Sequence, residues 1–131
     1  MSRSGYNVEM IVDVILWRGA VASAIRGRRG QAFLKEMLKA LDQMKTKRLI
    51  HDKLISISKG DVCAIGAVGV ARGMDIQSIE SEDSEAVAEA FGIAPALVCE
   101  ISYYNDEVGS TLETPAQRWT RMRAWVQSQI N

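Results

Sequence analysis

Arg26-Gly27-Arg28-Arg29-Gly30, running on into Gln31-Ala32-Phe33-Leu34-Lys35-Glu36-Met37-Leu38-Lys39-Ala40-Leu41-Asp42-Gln43-Met44, is the stretch on which the fold turns. From Gln31 onward Leu34, Met37, Leu38, Leu41 and Met44 recur at i, i+3/i+4 and i+7, while Lys35, Glu36, Lys39 and Asp42 take the opposite face. That spacing predicts an amphipathic helix. The two glycines ahead of it break whatever helix precedes, because glycine weakens a helix interior and supplies unusual backbone angles. The basic turn therefore stands between two helices, with Gly30-Gln31-Ala32 presenting free N–H groups at the second one's start.

Upstream, Asn7 is placed to cap a helix from Val8 to about Ile25. Its apolar residues form two stripes, so burial nearly all round and a central position are expected, with Glu9 and Asp13 as a narrow wet edge. Downstream, Lys45-Thr46-Lys47-Arg48 suits the negative end of a helix dipole. Leu49-Ile50 and Leu54-Ile55-Ser56-Ile57-Ser58 are strand-like and predict a minor β-hairpin around Leu49 to Ser58. Asp61 is placed to cap the segment after it. Val62 to Arg72 reads as strand or helix; its stripe of small residues (Ala64, Gly66, Ala67, Gly69, Ala71, Gly73) favours a tightly packed helix. Ser81 is the expected cap of a helix that Gly92 ends, and Ala94-Pro95 restarts one. Asn105-Asp106 and Gly109-Ser110 suggest a loop. Thr114-Pro115-Ala116-Gln117 is a capping box with proline at N1, opening a last helix with Trp119, Met122, Val126 and Ile130 on one face. The expected fold is mostly α: a compact single domain over residues 1–131, built of five to six helices with the minor hairpin.

The 47% hydrophobic and 24% charged content suits a globular chain. Two cysteines, Cys63 and Cys99, make neither a disulfide framework nor a metal-ligand pair, and no cofactor is expected. The opening residues do not read as a signal peptide and no apolar run could span a bilayer, so a cytoplasmic, reduced protein without membrane contact is expected. The net charge of zero conceals an asymmetry: residues 1–60 carry 12 Lys and Arg against 5 acids, and residues 61–131 carry 4 against 11. Either the two signs neutralise each other within the fold, the expected outcome, or opposite faces join copies of the chain in a homo-oligomer.

The chain resembles a group of uncharacterised small proteins encoded by tailed bacteriophages and prophages. The matching residues are Trp17-Arg18-Gly19, Arg26 to Leu34, Asp61-Val62-Cys63-Ala64-Ile65-Gly66, Ala71-Arg72-Gly73, Asn105-Asp106-Glu107, Glu113-Thr114-Pro115 with Arg118-Trp119, and Arg123-Ala124-Trp125-Val126. A looser likeness reaches a wider class of phage proteins that pair a Cys-x-aliphatic-Gly segment with a later Asn-Asp. The resemblance implies origin and setting, the cytoplasm of a host cell, and carries over no catalytic residue.

Four sites are worth weighing. Gly92 sits where the turn of a helix-turn-helix would fall, yet the second helix lies in a segment from Gly73 to Thr114 with 10 acids and no Lys or Arg. Duplex DNA is not expected there, since binding rests on neutralising phosphates. In the basic turn, Arg26, Arg28 and Arg29 add guanidinium groups to the helix start at Gly30 and Gln31, and Arg18 and Arg72, each beside a glycine, can join them. That set suits an anionic nucleotide or phosphate compound, or an acidic patch on a host protein. The plain alternative is a solvated connection whose arginines pair with Glu80, Glu82, Asp83 or Glu89. Cys63 and His51, with Asp52 or Asp61, make a third-ranked cysteine-based enzyme, but nothing in their spacing makes them meet, so no catalytic or metal-binding residue is assigned. Trp17, Trp119 and Trp125 read as core residues, with Arg118, Arg121 and Arg123 near enough to the last two for cation–π contacts. The leading expectation is a phage-encoded accessory protein that binds, and so inhibits or sequesters, a host component such as a defence factor; an anion-binding small-ligand protein is second.

Overall fold

The computed structural model describes residues 2–6 and 14–131. Six α-helices follow one another among them: α1 (Val14–Arg26), α2 (Arg28–Gln43), α3 (Ala64–Ala71), α4 (Ser84–Phe91), α5 (Pro95–Asp106) and α6 (Pro115–Gln129), with a short 3-10 turn at Ile76–Ser78. The all-α expectation holds. The expected cap at Asn7 and the first turns of the first helix lie outside the described residues.

The centre is α2, packed against both α3 and α6. Its Leu34, Met37 and Leu41 are fully buried, and Ile65, Val68, Leu97, Ile101, Met122 and Val126 close around them from the other helices. The periodicity after Gln31 thus marks the core directly. The central place expected for the first helix is not taken by α1: Leu16 is 78% exposed, and from Leu16 to Arg26 only Val21 and Ile25 are buried. Two apolar stripes would fit a central helix, but one of them ends in Gly19 and Ala22, which demand little cover.

The minor hairpin is absent, and the described residues contain no strand. Leu49-Ile50 and Leu54–Ser56 do not pair with each other. Asp52 turns the chain at φ +70, and both pieces reach instead for residues 61–63. Ile50 N–H donates to the Val62 carbonyl at 2.9 Å, Cys63 N–H to Leu54 at 3.2 Å and Ser56 N–H to Asp61 at 2.7 Å. One isolated bridge, Ile55 to Val62, is all that forms. Two partners competing for so short a segment leave no ladder.

Residues 64–71 are helical, as the small-residue stripe predicts. A Cβ on Gly66 would lie 2.1 Å from the Leu54 carbonyl oxygen, and one on Gly69 would lie 2.4 Å from Ile76. The cap is Cys63, whose Sγ accepts the Gly66 N–H; Asp61 pairs with Arg48 instead. Likewise α4 is capped by Asp83, while the Ser81 hydroxyl accepts the Leu54 N–H. Gly92 ends α4 in the left-handed region, and the capping box at Thr114 and Gln117 is complete. Lys47 folds back onto the carbonyls of Leu41, Asp42 and Met44 at the end of α2. Asn105-Asp106 is the last turn of α5, not a loop.

Helices α4 and α5 meet at 109°, within the range of a helix-turn-helix. Helix α5 is nonetheless a core helix, buried continuously from Leu97 to Ser102, where a recognition helix would need side chains free to enter a DNA groove. No single helix among the described residues is long and apolar enough to cross a membrane.

Candidate functional site

The α1–α2 corner is made by Gly27, which takes the Ser23 carbonyl to finish α1 and then stands as the extended N-cap of α2 at φ −64, ψ 157. Because α2 opens at Arg28, the Gln31 N–H is already bonded to the Gly27 carbonyl at 2.9 Å. The unbonded N–H groups at this helix start are therefore those of Arg28, Arg29 and Gly30, not of Gly30 to Ala32. No side chain caps them and no acid lies in the first turn.

The seven residues expected to act together fall into separate groups. Gly30 is buried because the helices nearly touch there: a Cβ would stand 1.7 Å from the Ala24 carbonyl oxygen. Gln31 is also buried. Its amide donates to Ile25 at 2.8 Å and Gln129 at 2.9 Å and accepts from the Asn131 N–H at 2.9 Å, fastening α1, α2 and the end of α6. Both are taken up in the packing of the helices, apart from the exposed arginines expected to act with them. Arg72 is occupied too. It forks onto Glu36 at 2.7 and 2.6 Å, donates to the Phe91 carbonyl and lies over the rings of Phe33 and Phe91. The hydrogen bond from Arg72 holds the Glu36 carboxyl below its usual range.

Arg28 and Arg29 are exposed and, among the described residues, form no ion pair. The pairing with Glu80, Glu82, Asp83 or Glu89 weighed from the sequence does not occur. Arg18 and Arg26 face another way. They border a cleft of about 480 Å³ between α1, α5 and α6, whose wall includes Glu100, Tyr104, Trp125 and Gln129. Tyr104 and Trp125 are stacked there, with ring centres 4.5 Å apart and planes inclined by 20°. Glu100 is only 6% exposed and, among the described residues, accepts one hydrogen bond, from the Tyr6 hydroxyl at 2.8 Å. Burial, with the Glu100 carboxylate adding to it, pushes the Tyr6 phenol up, so it stays a donor.

A second polar cluster joins segments far apart in sequence. Arg3 is 5% exposed and grips Asp106 through two bonds of 2.8 and 2.6 Å, with a third contact to Cys63 Sγ at 3.4 Å. Asn105 accepts the Ala64 N–H and donates to the Ile50 carbonyl. Ser4 donates to Glu107. The Cys63–Gly66 segment and Asn105-Asp106 therefore meet, with Arg3 between them. Sequence reasoning missed Arg3, which carries no local pattern; the one signal was that Asn105-Asp106 repeats polar residues at the end of an apolar helix. Burial pushes the Asp106 carboxyl up, but the hydrogen bonds from Arg3, Asn105 and the Asp52 N–H outweigh it and hold the group low.

The cysteine-based arrangement is not assembled. His51 Nδ1 contacts Asp52 at 2.5 Å on an exposed loop, whereas Cys63 is 1% exposed beneath Arg3. Among the described residues no group of His, Cys, Asp and Glu has the geometry to hold a metal. Trp17, Trp119 and Trp125 pack on the core, and the cation over Trp119 is Lys47, at 5.4 Å, in place of the expected arginines. Compared with known protein families, with curated proteins and with solved structures, the chain matches none.

Proposed function

We propose that this chain is an accessory protein of a tailed bacteriophage or prophage that acts by binding, and that it sequesters or inhibits a component of the host cell such as a defence factor. The phage setting comes from the resemblance at Arg26 to Leu34 and Asn105 to Glu107. The observation that carries binding is the state of Arg28 and Arg29: two exposed guanidinium groups that pair with no acid among the described residues, beside unbonded N–H groups at a helix start. Their chemistry fits an acidic patch on a host protein, since guanidinium forks bind carboxylates in pairs.

The immobilised protein, exposed to host lysate at low salt, is expected to retain one partner that Arg28→Glu/Arg29→Glu releases. Such exposed changes leave stability within about 0.5 kcal/mol, so an unaltered melting curve separates lost binding from lost fold. Capture indifferent to the charge reversal, or no capture at all, overturns the reading. A second reading, an anionic small molecule, is favoured by the cleft at Arg18 and Arg26, where cations, stacked aromatics and a buried carboxylate converge.

A further inference from the structure

The cleft between α1, α5 and α6 places three unlike features around one space, and each makes a separate demand on an occupant. Glu100 is the most restrictive. It sits on a continuously buried stretch of α5, its Oε1 takes only the neutral Tyr6 hydroxyl, and no cation pairs with it among the described residues. A carboxylate in so confined a place gains from further donors that reach it. Its Oε2 accepts no hydrogen bond among the described residues, and the residue lines the cleft. The stacked Tyr104 and Trp125 rings form an aromatic wall suited to a flat π-system. Arg18 and Arg26, eight residues apart on α1, stand on the border, about 12 Å apart along the helix axis. Both are exposed and neither pairs with Glu100, so donors for an anion and an acceptor for N–H groups are held apart.

We infer that this cleft binds a guanine nucleotide, with Glu100 reading the base, the Tyr104–Trp125 pair stacking on it and Arg18 and Arg26 holding the phosphate. Guanine alone among the common bases offers two adjacent donors, the ring N1–H and the 2-amino group, along one edge, which matches the two oxygens of a carboxylate. Adenine sets an acceptor beside its amino group, cytosine likewise, and uracil flanks its one donor with two acceptors; each would turn a lone pair toward Glu100. The 480 Å³ volume lies within the range of small-molecule sites. This inference rests on the second reading above and sharpens it.

Titration of the intact protein with GMP, GDP, GTP, ATP, CTP, UTP, guanosine and inorganic phosphate, followed by calorimetry and by Trp fluorescence, tests it. Guanine nucleotides are expected to bind at least about tenfold more tightly than the others, because a mismatched edge leaves the buried carboxylate unpaired. Glu100→Gln, of the same shape, should erase that preference, and Arg26→Ala should weaken GTP while leaving guanosine unchanged. Equal affinity for ATP and GTP overturns the role of Glu100 and leaves the anion-binding cleft standing. Phosphate binding as tightly as GTP overturns base recognition altogether. No binding by any nucleotide or phosphate overturns both readings. The comparison of nucleotides on the unmodified protein decides the matter even if a variant fails to fold.

Discussion

Around the last turn of α5, arginines are spent on the protein itself; at the α1–α2 corner they are not. Arg3 is enclosed with Asp106, Arg118 is buried with a bond to the Leu49 carbonyl and an ion pair to Glu113, and Arg121 forks onto Glu113 while reaching the Tyr104 and Asn105 carbonyls. Arg28 and Arg29 have neither burial nor partner among the described residues. The contrast bears on the opposed charges of the two chain halves. Among the described residues, ion pairs joining a base of residues 1–60 to an acid of residues 61–131 are Arg3–Asp106 and Arg48–Asp61. Glu36–Arg72 and Asp42–Arg123 run in the opposite sense, acid from the basic half and base from the acidic half. Two pairs in one sense are matched by two in the other, so direct ion pairing among the described residues does not even out the asymmetry.

The strongest way to break this contrast is to remove a base from each region. Arg3→Ala strips the guanidinium from a carboxylate whose side chain is 2% exposed. Removing one partner of a buried pair costs about 3–5 kcal/mol, against nearly nothing at Arg28. Urea unfolding of both variants should show a large fall in midpoint for the first and none for the second. Equal midpoints would mean that the segment around Arg3 is an appendage with no share in stability.

A smaller effect tests whether the corner is rigid enough to present its arginines. Gly30→Ala drives a methyl group into the Ala24 carbonyl, with backbone on both sides and no flexible side chain to yield. Overpacking of this kind costs about 1–3 kcal/mol, and here α1 and α2 must separate to relieve it. A melting temperature unchanged from the parent would show that the two helices already stand farther apart.

Much of this was legible from the chain alone, for reasons that differ by residue. The helix of Leu34, Met37 and Leu41 declares itself because one face is buried and the period is 3.6. The capping box at Thr114 and the stop at Gly92 are local and equally plain. What could not be read depends on contacts distant in sequence. Gln31 looks like a helix-start residue until the end of α6 arrives against it, and Arg72 looks free until Glu36 is its neighbour. The hairpin failed for the same reason, since Leu49-Ile50 and Leu54–Ser56 are extended but choose Val62-Cys63 over each other. Arg18 and Arg26 stand out in the sequence only as bases beside glycines, and it is the packing of α1 on α5 that sets them at the border of Glu100 and the aromatic pair.

The mildest test of the contrast is pH. Asp106 is held low by its hydrogen bonds with Arg3 and Asn105, Glu113 by Arg121, and both carboxylates are nearly enclosed. A carboxyl lower in the folded than in the unfolded chain stabilises the fold above its unfolded value, near 3.8 for Asp106 and 4.5 for Glu113, and loses that contribution as pH falls toward the folded value. The parent should therefore lose stability on acidification below about pH 4.5. Arg3→Ala removes the chief group holding Asp106 down, while burial still pushes that carboxyl up, so the variant's loss should flatten over this window. Arg28→Ala and Arg29→Ala should keep the parent's slope, because no carboxylate among the described residues pairs with them. Urea midpoints between pH 3 and pH 6 read this directly, and parallel slopes for Arg3→Ala and the parent would separate Asp106 from Arg3 in the working fold.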